Sequence, residues 1–384
     1  MQKNRQGNKI AVIIPSLQIG GAEKSLVKLL NLLNPNKFTV KLFIVANASE
    51  QMLSELNEDI SVVQFGARSS ASPVLLFKLL IGLLIFRPKI LFGWSTYANL
   101  LACILSIFLK STKLVISERN YIPRIYSKIS MGSVRRFVTL RLILVLYPLA
   151  DVVTCNSEVG LKFLRRLFKC RVKFLHLKNH IEAVDLTRKS NSYFPYSDSG
   201  IAEKKILALG RLDWQKGFDL LVRAISVLSS NTNENFRVYI VGSGIEASSL
   251  GKLAEELNVS HLITWVGEME NPYPYIRHAD LVVVPSRFEG FPNVVLETMF
   301  IGTPLVCTNF MTGAAEATSR GSLASLVPLE DSLSLATEIS RVLLNIGEAR
   351  NRAERGRLYV SVNYSAESVL SVLDPALMEL VNKK

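Results

Sequence analysis

Residues 282–306 read VVVPSRFEGFPNVVLETMFIGTPLV. A β-branched run, VVVPS, gives way to a loop through Glu289 and Gly290; a helix-forming segment starts near Pro292, and a second apolar run, PLV, closes the stretch. Proline suits the first turn of a helix, because the N–H it lacks has no partner there in any case. Strand, loop, helix and strand in this order form the repeating unit of a parallel sheet.

The same rhythm extends in both directions. KKILALGRL (204–212), FRVYIVGSG (236–244), LITWVG (262–267), DLVVVPS (280–286) and PLVCTN (304–309) alternate with helix-periodic segments. One of these, FDLLVRAISVL, places Phe218, Leu221, Val222 and Ile225 on one helical face, the pattern of a core helix. An earlier set does the same: KIAVIIPS (9–16), FTVKLFIV (38–45), ISVVQF (60–65), KILFGW (89–94), KLVIS (113–117) and DVVTCNS (151–157). The expected fold class is α/β, with two Rossmann-like, doubly wound domains: residues 1–181 and 204–364. Residues 182–203 are polar, Ser-rich and aperiodic, as in a linker. The tail from 365 to 384 reads as a helix interrupted at Pro375 that packs back on the first domain.

Length and composition agree with two folded domains. The chain has 384 residues, of which 49% are hydrophobic and 20% charged, a balance that fills large cores and argues against disorder. Four cysteines, at 103, 155, 170 and 307, lack the paired spacing of a zinc site or a disulfide framework, so a reduced, cytoplasmic chain is expected. The basic start MQKNRQGNK leads into a short apolar run broken by Pro15, which reads as a strand rather than a signal peptide. A net charge of +13 fits nucleic acid, an acidic membrane surface or anionic small molecules alike.

Chemistry concentrates where strands end. Glu289 falls in the loop after a strand and Glu297 about a turn inside the next helix, bracketing the amides of Asn293 to Val295. Helix N-terminal amides suit a diphosphate and carboxylates suit paired sugar hydroxyls, although a capping and a surface glutamate would leave the same pattern. Arg211 and Lys216 follow another strand, at the sheet edge where ligands bind in open α/β folds, and two cations there suit a diphosphate or form a solvated rim. Gly20 and Gly21 sit at the first strand-to-helix turn, in a phosphate loop or an ordinary tight connection.

Taken together, GGAEKSL (20–26), ISERN (116–120), GRLDWQKGFDLLVRA (210–224), VGSGIEASSL (241–250) and EGFPNVVLE (289–297) resemble the retaining, GT-B-fold glycosyltransferases of family four, the group 1 family, over nearly the whole chain. The resemblance implies two Rossmann-like domains facing each other across a cleft. It implies that Glu289 meets the transferred sugar and Glu297 the nucleotide ribose, with Arg211 and Lys216 on the diphosphate. Gly290, Phe291, Pro292, Asn293 and Val294 would supply the backbone around sugar and phosphate, Gly21 the phosphate loop of the first domain, and Gly267 and Met269 the region of the base.

Transfer with retention by front-side attack is implied, with cations and amides stabilising the departing diphosphate. Some members of the family have a first-domain histidine near the reacting carbon. Here the histidines are 176, 180, 261 and 278, and the corresponding region holds Trp94, Glu118, Arg119 and Asn120 as acceptor-side candidates. No Asp-x-Asp motif occurs, so neither a metal nor another cofactor is expected, the nucleotide-diphosphate sugar being a substrate.

Residues 74–86, VLLFKLLIGLLIF, are too few for a span of ~20 and barely have a polar face, so contact with a membrane surface is expected. Apolar stretches at 100–109 and 137–149, with Lys110, Lys113, Arg124, Lys128, Arg135, Arg136 and Arg141 nearby, suit an anionic leaflet or a pyrophosphate-linked lipid acceptor. The expected acceptor is a glycan or, by preference, a polyprenyl-diphosphate-linked glycan, in cell-surface polysaccharide synthesis. A peripheral position on the inner face of the cytoplasmic membrane follows. The competing readings are a GT-B-fold nucleotide-sugar-binding protein without turnover, another GT-B enzyme such as an epimerase or phosphorylase, and a nucleic-acid binder. The last is supported only by charge, with no recognition module, so no nucleic-acid partner is expected.

Overall fold

A computed structural model of the chain describes residues 7–67, 72–120, 122, 133–168, 172–196, 203–231 and 234–383. Arg124, Lys128 and Cys170 lie outside the described residues. The chain divides into two compact units: the described residues up to His180 together with those from Ala366 onward, and Ile181–Ser365.

The first unit is built on a seven-stranded parallel sheet in the order β3-β2-β1-β4-β5-β6-β7. Its strands are β1 (Asn8–Ile14), β2 (Phe38–Ile44), β3 (Ser61–Gln64), β4 (Ile90–Trp94), β5 (Lys113–Glu118), β6 (Val152–Cys155) and β7 (Lys173–His176). β1 is buried from Ile10 to Ile14, as a continuous apolar run must be when helices cover both faces of the sheet. On one face the helix Gly21–Leu32 contributes Leu26, Val27, Leu29 and Leu30 to a core shared with Val369, Leu373, Leu377 and Leu380 of the helix Ala366–Asn382. On the other face the helices Pro73–Phe86, Thr96–Ser106 and Ser133–Leu146 share a second core.

The second unit has a six-stranded parallel sheet in the order β10-β9-β8-β11-β12-β13. Its strands are β8 (Lys204–Leu209), β9 (Phe236–Val241), β10 (Ile263–Gly267), β11 (Leu281–Val284), β12 (Leu305–Thr308) and β13 (Ser325–Val327). Phe218, Leu221, Val222 and Ile225 are buried on one face of the helix Phe218–Asn231, as their spacing requires. Strand order reverses between β1 and β4 in one sheet and between β8 and β11 in the other, and crevices at the carboxyl ends of such pairs are where open α/β sheets bind ligands.

Three local expectations change. Residues 182–203 are not wholly irregular: Ala183–Ser190 form a helix, with Leu186 buried and Asp185 paired to Arg188 and Lys189, so the second unit begins at Ile181 rather than near 204. Close charge pairs and one buried anchor stabilise a helix whose apolar stripe is too short to register as periodic. The last helix is not interrupted at Pro375 but runs through it from Ala366 to Asn382. The cost of proline in a helix interior is a few kcal/mol, and four buried aliphatic side chains along that helix, at about 1.5–3 kcal/mol each, exceed it. Finally, β7 and β13 join the sheet edges with four and three residues, too short for a distinct apolar run.

Candidate functional site: the carboxyl ends of β8 and β11

In the second unit the loop after β8 approaches those after β9 and β11 closely because glycine permits it. Gly242 has φ +141°, and a Cβ there would lie 2.0 Å from the Gly210 carbonyl oxygen. Gly217 has φ +65°, and its Cβ would lie 2.2 Å from the Pro285 carbonyl oxygen. Both positions exclude a side chain by sterics and by backbone conformation. The Gly217 contact packs the short 3-10 turn Trp214–Lys216 against the residues that follow β11.

Lys216 and Glu289, 73 residues apart, are thereby joined: Lys216 Nζ donates to Glu289 Oε1 at 2.6 Å. Ser286 Oγ donates to the same oxygen at 2.9 Å, and Thr312 Oγ1 donates to the Glu289 backbone carbonyl. The two charged side chains are only 21% and 11% exposed, so the pair is largely withdrawn from water, where Coulomb attraction is stronger. Arg211 is different. It stands exposed at the rim, its Nε donating to Asp213 Oδ2 at 2.5 Å.

The helix Asn293–Ile301 starts immediately beyond. Pro292 is its N-cap, with no side-chain cap, so the helix presents its N-terminal dipole beside Gly290, Asn293 and Val294, which are all partly exposed. The Val295 amide is not left open to an anion as expected: it donates to the Pro292 carbonyl at 3.1 Å, an early turn bond that tightens the helix start. Phe291 and Pro292 are buried; the Phe291 ring packs on Tyr364 with centroids 5.8 Å apart, so these two residues shape the loop from beneath. Glu297 is partly exposed and accepts from Tyr273 Oη at 3.3 Å. Gly267 ends β10 with its carbonyl bonded to the Gly242 amide at 2.8 Å; Met269 follows it, partly exposed, and Ser243 Oγ donates to Glu268 at 2.7 Å.

The first unit builds its own polar cluster at the ends of β4 and β5. Gly21 opens the helix Gly21–Leu32 and is exposed, with Gly20 as N-cap. Trp94 is buried and its indole N–H donates to the Ala22 carbonyl at 2.9 Å. The Arg119 guanidinium lies 4.2 Å from the Trp94 ring centroid, donates to the Leu177 carbonyl at 3.1 Å and bonds Asn179 Oδ1. Glu118 accepts from Thr96 Oγ1 at 2.8 Å, from Tyr147 Oη at 2.7 Å and from the Asn120 amide at 3.2 Å. Burial pushes the Glu118 carboxyl above its ordinary range, partly offset by those bonds, and burial together with Glu118 raises the Tyr147 phenol. Burial lowers Arg119 to about 10, partly offset by Cys155 and Glu118.

Trp94, Glu118 and Arg119 therefore hold the sheet edge together from inside, and of the four acceptor-side candidates only Asn120 is exposed. Tyr147, Asn99, Ser286, Thr312, Tyr273 and Arg287 complete these networks without having stood out in the sequence. Their partners lie at separations that no local motif spans, Ser286 excepted, which precedes Glu289 by three residues.

The helical layer of the first unit has an unusual outer face. Leu75, Leu79, Leu83 and Phe86 bury one side of the helix Pro73–Phe86, while Val74, Phe77, Ile81, Leu84 and Ile85 are exposed, Ile85 at 76%. On the helix Ser133–Leu146, Val134, Phe137, Val138, Leu142, Leu144 and Val145 are exposed as well. Both helices pack against Thr96–Ser106, beyond whose end Ile107 and Phe108 are also exposed. Lys78, Arg87, Lys110, Arg135 and Arg141 are exposed in the same segments. No described helix is long and apolar enough to cross a membrane.

Comparison with known proteins places this geometry. Residues 197–359 match the model of the family described as glycosyl transferases group 1. The chain is 29% identical over 348 residues to the N-acetylgalactosamine-N,N'-diacetylbacillosaminyl-diphospho-undecaprenol 4-alpha-N-acetylgalactosaminyltransferase of Campylobacter jejuni, covering 87% of this chain and 90% of that protein. A second C. jejuni enzyme, an alpha-1,4-N-acetyl-D-galactosaminyltransferase acting on GalNAc-alpha-(1->4)-GalNAc-alpha-(1->3)-diNAcBac-PP-undecaprenol, is 25% identical, with 87% and 89% covered. Among solved structures, Anabaena HepE in complex with UDP and glucose shares the fold with a TM-score of 0.79 at 18% identity, covering 97% of this chain and all of that one. Sucrose-phosphate synthase from Thermosynechococcus elongatus gives 0.79 at 19%, with 97% and 99% covered. Two parallel Rossmann-like sheets matching GT-B structures, a match to the group 1 family model over the unit that holds Lys216 and Glu289, and glycosyltransferase relatives aligned over most of their length identify the chain as a glycosyltransferase.

Proposed function

We propose that this glycosyltransferase moves a sugar from a nucleotide-diphosphate-sugar donor onto a polyprenyl-diphosphate-linked glycan at an anionic membrane surface, in the synthesis of a cell-surface polysaccharide, with retention at the anomeric carbon. The observation that carries the donor half of this reading is the Lys216–Glu289 pair at the strand-order reversal of the second sheet, beside the N-terminus of Asn293–Ile301. A diphosphate entering there would take Lys216 as its cation, with Arg211 reaching it from the rim and the Gly290–Val294 backbone meeting it at the helix dipole. Glu289 would then accept hydrogen bonds from the sugar hydroxyls and Glu297 from the ribose, with the base near Gly267 and Met269.

In the reaction the bond from the anomeric carbon to the diphosphate oxygen breaks while the acceptor hydroxyl oxygen bonds to the same face and its proton passes to the departing diphosphate. Negative charge accumulates on the departing diphosphate, and Lys216, Arg211 and the amides stabilise it more strongly than in the ground state. On this account no divalent metal is required. Full activity in a chelator is expected, and a loss restored by magnesium or manganese would contradict it.

The acceptor half rests on the names of the C. jejuni relatives, which specify diphospho-undecaprenol-linked glycans, and on the apolar outer face of the first unit with its basic residues. Aliphatic and aromatic side chains inserted at the headgroup boundary, combined with lysine and arginine near anionic lipid, give peripheral binding without a span. A thermal-shift screen of nucleotide diphosphates and nucleotide sugars tests the donor half. One nucleotide class should stabilise the protein, and Glu297→Ala should remove that shift; no shift from any member of the panel would overturn the reading.

A further inference from the structure

Arg287 lies between Ser286 and Glu289 in the loop after β11 and is 5% exposed, yet none of the donor-site roles above involves it. Its guanidinium is held on all sides. Nη1 and Nη2 donate to the two carboxylate oxygens of Asp219, each at 2.7 Å, and Nε donates to Glu330 at 2.7 Å. Nη1 also donates to the Trp214 carbonyl at 2.8 Å, and the guanidinium lies 4.9 Å from the Trp214 ring centroid. The Arg287 amide donates to the Gln215 carbonyl at 2.8 Å, and Gln215 Nε2 returns a bond to the Phe288 carbonyl at 3.0 Å. Burial pushes the Asp219 carboxyl up, but its bonds to Arg287 and the attraction between the charges outweigh this and hold it below the ordinary range.

These contacts converge on two short segments. Trp214 and Gln215 immediately precede Lys216, and Arg287 and Phe288 immediately precede Glu289. We propose that Arg287 is a positioning residue that clamps the Lys216 turn to the Glu289 loop and to the first turn of Phe218–Asn231, so that lysine and carboxylate stay in register for the departing diphosphate. The proposal rests on the donor-site reading of Lys216 and Glu289. Arginine is required because a planar fork reaches a carboxylate with two bonds and a carbonyl with a third; lysine offers a point charge that cannot hold both loops. Electrostatic catalysis depends on donors fixed before charge develops, so loosening this clamp weakens transition-state stabilisation more than substrate binding.

The test is a double-variant cycle on transfer by the full chain, with Arg287→Gln, Lys216→Ala and the two combined, and Arg287→Lys in case the glutamine variant does not fold. Arg287→Gln is expected to lower kcat about tenfold or more with donor KM within about threefold, and Arg287→Lys to restore only part of it. In the Lys216→Ala background the same change should cost at least about threefold less than in the wild type, because one of the two groups it holds in register is gone. Hydrogen exchange should quicken at 213–217 and 286–290 while the sheet amides are unchanged, a readout independent of turnover. Independent, multiplicative losses in the cycle, wild-type kcat in folded Arg287→Gln, or exchange that rises evenly across the unit would each overturn the proposal. If Lys216→Ala alone transfers at the wild-type rate, the donor-site reading itself fails, and that outcome is distinct from failure of the clamp.

Discussion

Replacing Glu289 with alanine should lower turnover on the order of a hundredfold while leaving a folded protein. Glu289 Oε1 accepts from Lys216 at 2.6 Å and from Ser286 at 2.9 Å, so the substitution removes an ion pair together with a carboxylate that the donor-site reading aims at the transferred sugar. A hydrogen bond to a charged group contributes about 1.5–3 kcal/mol. Losing one such contact with the sugar in the transition state, together with the restraint on Lys216, comes to roughly 2.7 kcal/mol, or two decades in rate. The cost to stability stays below the about 3–5 kcal/mol of breaking a fully buried pair, because the Lys216 side chain is 21% exposed and can rehydrate once its partner is gone. Initial rates of nucleotide-diphosphate release in the presence of acceptor, with circular dichroism and a melting curve on the same preparation, measure both quantities. A folded variant turning over within threefold of wild type would refute the assignment of Glu289 to the reacting sugar.

Other perturbations follow from the geometry. Gly242→Ala should destabilise the second unit by a few kcal/mol and weaken nucleotide binding, because its Cβ would lie 2.0 Å from the Gly210 carbonyl oxygen; a variant melting like wild type would contradict the close approach. His180 is held at about 4, by burial first and then by the Lys28 and Arg119 charges, against an ordinary 6.5. Since the unfolded chain takes up this proton first, the contribution is complete above about pH 6.5 and is lost as pH falls towards 4, up to roughly 3 kcal/mol. Urea unfolding at pH 4.5 and 7.5 should show His180→Gln losing less stability on acidification than wild type, and equal losses would dismiss the buried neutral histidine. Phe77→Ser combined with Ile85→Ser should reduce sedimentation with anionic vesicles at least tenfold, at about 1–2 kcal/mol per side chain withdrawn from lipid, without altering the melt; unchanged vesicle binding would place lipid contact elsewhere.

The two sheets were legible because their central strands are buried on both faces and must be uninterrupted apolar runs, as Val282–Val284 and Ile10–Ile14 are. Edge strands β7 and β13 were not, since segments of only four and three residues, one carrying Lys173 and His176 and the other opening on Ser325, leave no such run. The helix Ala183–Ser190 was hidden by its brevity, and Pro375 stopped a helix on paper that tertiary burial of Leu373 and Leu377 carries through. In the site, Lys216 and Glu289 were visible as charges at strand ends, but that they touch depends on the backbone contact at Gly217. Arg287 stood within the most informative stretch and stayed silent, because Asp219 and Glu330, which define its role, lie 68 and 43 residues away. Trp94, Glu118 and Arg119 read as ligand-facing, yet they are buried, and a cluster of polar types alone does not distinguish a binding surface from an internal network.

Mass spectrometry of a polyprenyl-diphosphate-linked glycan incubated with the protein and a panel of nucleotide-diphosphate sugars addresses the whole account in one reaction. The acceptor should gain the mass of a single sugar from one donor, with stoichiometric release of the nucleotide diphosphate, and Lys216→Ala and Glu289→Ala should each slow the gain by about tenfold or more. A donor that binds and is hydrolysed with no gain on the lipid-linked glycan, or a gain that persists undiminished in both variants, would contradict it.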